Sequence, residues 1–201
     1  MKAHESSERI RDEPSSLFIM VGWIVVVLFL VFLVLVTAPF GDLLGSSAWA
    51  VVSTLHGTLA TLGAIIMAVA AYLGWKLSRG QLQANGDLRI ISALSVIAAA
   101  ATIIFGNWIY IGYRAPGGPR TFFLQSSTPE IHEIFFEFKE FIALFTLPLA
   151  VAGMYTIWTY RDTLSQDKPL RTTVALILLT TFLIFMVTFV LGAAITKLRS
   201  V

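Results

Sequence analysis

Long uncharged runs of apolar residues restrict this chain to a membrane fold. Five such runs are present, at residues 14–41, 43–75, 90–113, 141–160 and 172–196, and His56 is the only residue within them whose side chain can carry a charge near neutral pH. A helix rises about 1.5 Å per residue and a bilayer core is about 30 Å thick, so roughly 20 apolar residues make a spanning helix. The sequence therefore predicts an all-α integral membrane protein with five transmembrane helices.

The composition excludes the main classes of soluble protein. Hydrophobic residues make up 57% of the 201 residues and charged residues only 13%, and the mean hydropathy is +0.81. The absence of cysteine excludes thiolate-held iron–sulfur clusters, zinc–cysteine sites and covalently attached haem. The basic residues lie at the ends of the apolar runs and form no patch, which argues against a nucleic-acid partner.

The predicted organisation is a short tail followed by one helical domain. Residues 1–16 are predicted to be a cytoplasmic tail and residues 17–201 a transmembrane domain, with helices at about 17–39, 47–76, 89–113, 130–160 and 171–196. Membrane helices approach one another through small residues, and these are abundant in 47–76, whereas 17–39 carries mostly large side chains. We therefore expect a bundle of the last four helices with the first helix at its periphery.

The distribution of Lys and Arg predicts the orientation. Of the 14 basic residues, nine flank the predicted tail and the connections near residues 80 and 165, and the remaining five lie on the opposite side. Because cytoplasmic loops carry the excess of positive charge, the N-terminus is predicted to be inside and the C-terminus outside. A short chain with this bias and no transit peptide favours the cytoplasmic membrane of a prokaryote.

Two histidines are candidate functional residues. His56 and His132 open two predicted helices that start on the same side of the membrane. An ionisable residue in or near a spanning helix is unfavourable and by default indicates function. Below His56, the small residues Ala60 and Gly63 form a groove along one helix face, which a flat cofactor could approach closely.

The two histidine segments, Leu55-His56-Gly57-Thr58-Leu59 and Pro129-Glu130-Ile131-His132-Glu133, resemble the membrane b-type cytochromes. In that family, histidines on separate helices hold haem and electrons pass to or from quinone. The resemblance implies one b-type haem near the outer face, with His56 and His132 as axial ligands and Arg114 or Arg120 at the propionates. The protein would then be an electron-transfer subunit of an oxidoreductase, working with quinone or a partner protein.

Helix lengths leave a second possibility open. His56 lies nineteen residues before Trp75, about 29 Å, whereas His132 lies twenty-eight residues before Tyr160, about 42 Å. This difference brings Glu137 and Glu140 to the depth of His56. A bundle that handles protons or a metal ion with these residues is therefore an alternative. Two further polar residues are candidates for such a pathway, Lys139 and Asn107.

A third possibility requires no cofactor. The same histidines and glutamates could serve only in helix packing and at the membrane surface, in a structural or assembly subunit of a larger membrane complex. In each case the expected partners are the lipid bilayer and other subunits of such a complex.

Overall fold

The computed structural model describes residues 19–20, 23, 26–27, 48–82 and 84–199. Across these residues the chain is helical and has no strand, and four helices are long and apolar enough to cross a membrane: Trp49–Ser78, Ala84–Arg114, Ile131–Thr159 and Lys168–Leu198. The predicted all-α membrane bundle is thereby confirmed. The predicted tail 1–16 lies outside the described residues, as does the predicted helix 17–39 apart from five separate helical positions.

The helices of the described region follow one another with short connections. In chain order they are α1 (Ala48–Ser78), α2 (Ala84–Arg114), the short α3 (Pro119–Leu124), a π-helix (Ile131–Phe136), α4 (Glu137–Ala143), α5 (Thr146–Thr159), a 3₁₀ turn (Thr163–Ser165) and α6 (Lys168–Leu198). α2 starts five residues before the predicted residue 89. α6 starts three residues before the predicted residue 171, because the Asp167 side chain caps it by accepting a hydrogen bond from the Leu170 N–H at 2.9 Å.

The predicted helix 130–160 is divided into three pieces. A turn at Leu144 and Phe145 separates α4 from α5, and Pro148 follows four residues after Leu144. A proline ring clashes with the carbonyl group four residues before it, which breaks or bends a helix. The Thr146 hydroxyl donates a hydrogen bond to the Ala143 carbonyl at 2.6 Å and so satisfies one of the acceptors at the break.

The four spanning segments form an up-and-down bundle. α1 packs against α2 and α6, and α5 packs against the same two helices from the other side, while α4 extends the contact with α6. The connections at residues 79–83 and 160–167 lie at one end of the bundle. The connection that contains α3 lies at the other end.

The two ends of the bundle are packed differently. At the end near residues 79–83, which we call the packed end, apolar side chains from all four spanning segments form a continuous core: Ala70, Leu73, Leu77, Ala84, Leu88, Ile91, Ile157, Leu164, Val174 and Leu178. Leu178 lies between two glycines, since a Cβ atom at Gly74 or at Gly153 would be 2.9 or 3.2 Å from its methyl groups. Small residues thus allow α1 and α5 to approach α6 closely.

Candidate functional site

The end of the bundle opposite the packed core contains a large cavity. Its volume is about 710 Å³, and α1, α2, α4 and α6 all contribute to its wall. We call this half of the molecule the cavity end. Apolar surface predominates in the wall, although about half of the lining residues carry a polar or charged group. Pockets of about 300–1,000 Å³ with this character are typical of sites for small molecules.

His56 lies in the cavity wall with its ring held in place by α2. Its Nδ1 is 3.0 Å from the backbone oxygen of Thr102. A carbonyl oxygen can only accept, so Nδ1 carries the hydrogen and donates it. The ring packs against Gly106, where a Cβ atom would lie 3.0 Å from the His56 Cε1. The absence of a side chain at Gly106 is therefore what allows the imidazole to reach Thr102.

Within 48–82 and 84–199, the second ring nitrogen of His56, Nε2, has no hydrogen-bond or ion-pair partner. Nε2 is not among the fully enclosed polar atoms of this region that lack a partner, so it remains accessible. The hydroxyl of Thr102, in the same wall, is one of those enclosed atoms without a partner. The neutral His56 ring thus presents an unshared acceptor at the cavity.

An ion pair from α4 also lines the cavity. The Lys139 Nζ donates a hydrogen bond to the Glu140 Oε1 at 2.7 Å, and the Lys139 side chain is only 14% exposed. The aliphatic stem of Lys139 packs near Gly192 of α6, where a Cβ atom would be 3.4 Å from its Cε, and the ammonium lies over the Phe136 ring. The pair brings two opposite charges into a mostly apolar wall, where each offsets the unfavourable burial of the other.

His132 belongs to a different network, at the rim of the cavity. Arg120 on α3 donates from Nε to the His132 Nε2 at 3.2 Å, so in the neutral ring Nδ1 carries the hydrogen and donates it to the Tyr113 hydroxyl at 3.1 Å. His132 is only 4% exposed. Tyr113 stacks on Phe136 with ring centroids 4.0 Å apart. This network attaches α3 to the bundle.

His132 and Phe136 lie on a π-helix and are both buried. In the segment Ile131–Phe136 the hydrogen bonds span five residues, as in the one from the Glu137 N–H to the His132 carbonyl. The two side chains, four residues apart, both contact Tyr113. Single π-helical turns within α-helices are frequent at functional sites.

The two histidines do not share a site. His56 packs against Gly106 and His132 bonds to Tyr113, seven residues or about 10 Å further along α2. A single iron with two imidazole ligands needs both rings on opposite sides of the same metal. In addition, both nitrogens of His132 are already hydrogen-bonded. A haem with His56 and His132 as its two axial ligands therefore does not fit this arrangement.

The arginines predicted at the haem propionates have other partners. Arg120 bonds to His132, and Arg114 lies over the Tyr110 ring at 4.3 Å and 3.7 Å from the Glu137 carboxylate. Glu137 is also 3.6 Å from the His132 Nε2. These contacts occupy the rim of the cavity, where Glu137 forms part of the wall.

The predicted groove residues and pathway residues are divided between the cavity and the packing contacts. Ala60 and Asn107 line the cavity. The Asn107 amide donates to the Ile103 carbonyl of its own helix. Gly63 instead accommodates Phe185, since a Cβ atom there would be 2.7 Å from the Cζ of that ring. Gly63 therefore contributes to the contact between α1 and α6.

Two residues of the site were not predicted from the sequence. Tyr113 is the hydrogen-bond partner of His132. Gly106 forms the surface on which His56 rests. Both contacts depend on how α2 packs against its neighbours. The only signal in the sequence is that an interior histidine needs a hydroxyl group to bond to, as His132 does, or a small residue to pack against, as His56 does.

No group of three or more His, Cys, Asp or Glu side chains that could hold a metal ion occurs among the residues the structure describes. At the level of the cavity, His56 is accompanied by Lys139 and Glu140, whose charges are already paired with each other. The arrangement is therefore better suited to binding an uncharged molecule than a cation.

Comparisons of the chain with protein families, with curated proteins and with solved structures found no match. The geometry of the cavity is thus the basis for the function proposed below.

Proposed function

We propose that the protein is a quinone-binding subunit of a membrane electron-transfer complex. The observation that carries this proposal is the cavity of about 710 Å³, with apolar walls and one accessible imidazole nitrogen. A quinone has a flat ring with two polar oxygens and an apolar tail. A cavity of this kind, within the membrane-spanning part of the bundle, matches both parts of such a molecule.

The wall offers suitable contacts for the ring and the tail. Aromatic side chains, among them Tyr110, Phe136 and Phe189, provide faces against which a flat ring can stack. The Lys139 ammonium can donate to a ring oxygen, and the His56 Nε2 can accept a hydrogen bond from a hydroxyl of the reduced ring. Small residues such as Ala60 leave space for the tail.

This chain itself is not proposed to carry the redox centre. In this proposal the chain binds and orients the quinone, and a partner protein carries the redox centre that exchanges electrons with it. The exposed apolar faces of α4 and α5 are available for lipid or for such a subunit.

Binding is favoured over proton conduction by the packed end. A proton path across the bundle requires polar groups beyond the cavity. The core of the packed end consists of aliphatic side chains, and the enclosed polar atoms of Asn85, Arg89 and Arg171 belong to the first two turns of α2 and α6, at the end of the bundle. The buried hydroxyls nearby, Ser92, Ser95 and Thr181, bond to carbonyl groups of their own helices. The cavity therefore supports a closed binding site better than one half of a pathway.

The proposal includes the finer topology predicted from the sequence. Residues 17–39 form a fifth spanning helix at the periphery, the N-terminus is inside and the C-terminus outside, in the cytoplasmic membrane of a prokaryote. The cavity end, which holds the α3 connection, then faces the outer side. The excess of basic residues near the packed end supports this orientation.

The experiment that tests the function measures binding of a radiolabelled short-tailed benzoquinone to the full chain in lipid nanodiscs. We expect saturable binding of one quinone per chain, above the partition into empty nanodiscs. Ala193 lines the cavity and Ala194, its neighbour on α6, does not, although both are exposed. Ala193→Trp should fill part of the cavity and lower the affinity by about tenfold or more, whereas Ala194→Trp should change it less than about twofold.

Either of two results would overturn the function. One is binding that never exceeds the lipid partition. The other is an equal effect of Ala193→Trp and Ala194→Trp, which would locate the bound quinone outside the cavity. Circular dichroism and size-exclusion profiles of both variants verify that each remains folded.

A further inference from the structure

We propose that the cavity selects the reduced, hydroxyl-bearing form of its ligand, the quinol, through an O–H···Nε2 hydrogen bond to His56. This inference rests on the proposed function and specifies which redox form binds. It follows from the hydrogen-bond roles of the two nitrogens of a single ring.

His56 is in the tautomer that has its hydrogen on Nδ1. The Thr102 backbone oxygen, 3.0 Å from Nδ1, has only lone pairs to offer. The neutral imidazole has one N–H, and this contact places it on Nδ1. Nε2 is then an acceptor and has no hydrogen to donate.

The His56 ring cannot easily rotate to present its other nitrogen to the cavity. Rotating the imidazole by a half-turn would remove Nδ1 from the Thr102 carbonyl and place a carbon there. A Cβ atom at Gly106 would lie 3.0 Å from the His56 Cε1 and 3.4 Å from its Nδ1, so there is little free space on that side of the ring. The contacts with α2 thus fix which nitrogen is presented to the cavity.

The oxidised and reduced forms of the ligand differ in whether they can donate a hydrogen bond to Nε2. A quinone carbonyl oxygen and the His56 Nε2 are both acceptors, so they repel when they meet, and burying both without a donor is unfavourable. A quinol hydroxyl donates to Nε2 and satisfies it. The neighbouring cation, Lys139, remains paired with Glu140 at 2.7 Å and does not supply the missing donor to Nε2.

The experiment compares three ligands of nearly equal shape on the full chain in nanodiscs under argon: a short-tailed benzoquinol, the corresponding quinone and the dimethyl ether of the quinol. The ether keeps the reduced ring but has no O–H. We expect the quinol to bind about tenfold more tightly than either of the others.

Two His56 variants give matched controls. His56→Asn keeps an amide N–H at about the position of Nδ1 for the Thr102 carbonyl but has no acceptor at the position of Nε2, so the preference for quinol should be lost. His56→Gln places an amide, which can present an acceptor oxygen, near the position of Nε2 and should recover part of the preference. Both are interpreted against the Ala193→Trp variant, which tests the cavity itself.

A measurement on the unmodified sequence needs no variant to fold. In protein labelled with ¹⁵N-histidine, the Nε2 signal of His56 should have the shift of an unprotonated nitrogen, and it should move when quinol is added but not when the ether is added. A His56 signal that shows the hydrogen on Nε2 would overturn the inference.

The remaining outcomes separate the inference from the function. Equal affinities for the three ligands, all lowered by Ala193→Trp, would overturn the preference for quinol and leave the binding function intact. A preference that survives in His56→Asn would also overturn it. Absence of saturable binding for all three ligands would overturn the function, and the inference with it.

Discussion

At the residue scale, the site depends on the Thr102 carbonyl and on Gly106, which together position the His56 imidazole. His56 could be selected from the sequence because it is the only residue in its apolar run whose side chain can carry a charge near neutral pH. Its partner could not be selected, because the Thr102 contact is made by a backbone oxygen and every residue has one. The spacing along the helices nevertheless predicted that Glu140 lies near the depth of His56, and the two residues do line the same cavity.

The role of Gly106 is testable with a pair of identical substitutions. In Gly106→Ala the new Cβ atom would lie 3.0 Å from the His56 Cε1, so the ring must shift away from Thr102. We expect the quinol affinity to fall by about three- to tenfold, measured by equilibrium binding in nanodiscs. Gly57→Ala is the control for a methyl group added to the cavity wall without displacing His56, because Gly57 also lines the cavity and nothing lies within 4 Å of its new Cβ atom. Equal affinities in the two variants would contradict this role.

At the element scale, the predictions were best for helices whose sequences contain no proline inside the apolar run. α1, α2 and α6 lie within a few residues of the predicted 47–76, 89–113 and 171–196. The predicted helix 130–160 was treated as one element, but Pro148 interrupts it and a π-helix forms at its start. Proline has a steric effect that sequence can reveal, whereas no residue in Ile131–Phe136 has a comparable effect that would mark a π-helix.

The packing between elements gives a second test, with adjacent leucines on α6. Leu178 is 2% exposed between Gly74 and Gly153, whereas Leu179 is 43% exposed. Leu178→Ala should leave a hole where three helices meet and lower the free energy of unfolding by about 2–5 kcal/mol. Leu179→Ala should change it by about 0.5 kcal/mol or less. Chemical denaturation in detergent measures both, and similar values for the two variants would contradict the close approach of the helices.

At the scale of the whole molecule, the sequence established the class of fold but not its internal asymmetry. Length and apolar content are enough to predict spanning helices. They cannot predict that one end of the bundle is filled and the other hollow, because this depends on how side chains from four helices meet. Leu and Phe occur in both halves, and it is their positions relative to Gly and Ala that decide which half is filled.

The absence of cysteine allows the proposed topology to be tested by single-cysteine labelling. We expect Ser127→Cys, in the connection after α3, to react with a membrane-impermeant maleimide on intact cells. Gln166→Cys, at the packed end, should react only after permeabilisation. Ser7→Cys should behave like Gln166→Cys if residues 17–39 cross the membrane. Labelling of Ser7→Cys on intact cells would contradict the fifth span.

The hollow end has a mechanical consequence for how a ligand gains access. The cavity separates parts of α1, α2, α4 and α6, and the cluster of Tyr113, Phe123, Phe136 and Ile195 joins α2, α3, the π-helix and α6 at its rim. Regions with low contact density open with a smaller free energy than the core. We therefore expect the helices to separate more readily beside the cavity than at the leucine-rich core, so that a lipid-soluble molecule enters between them without unfolding of that core.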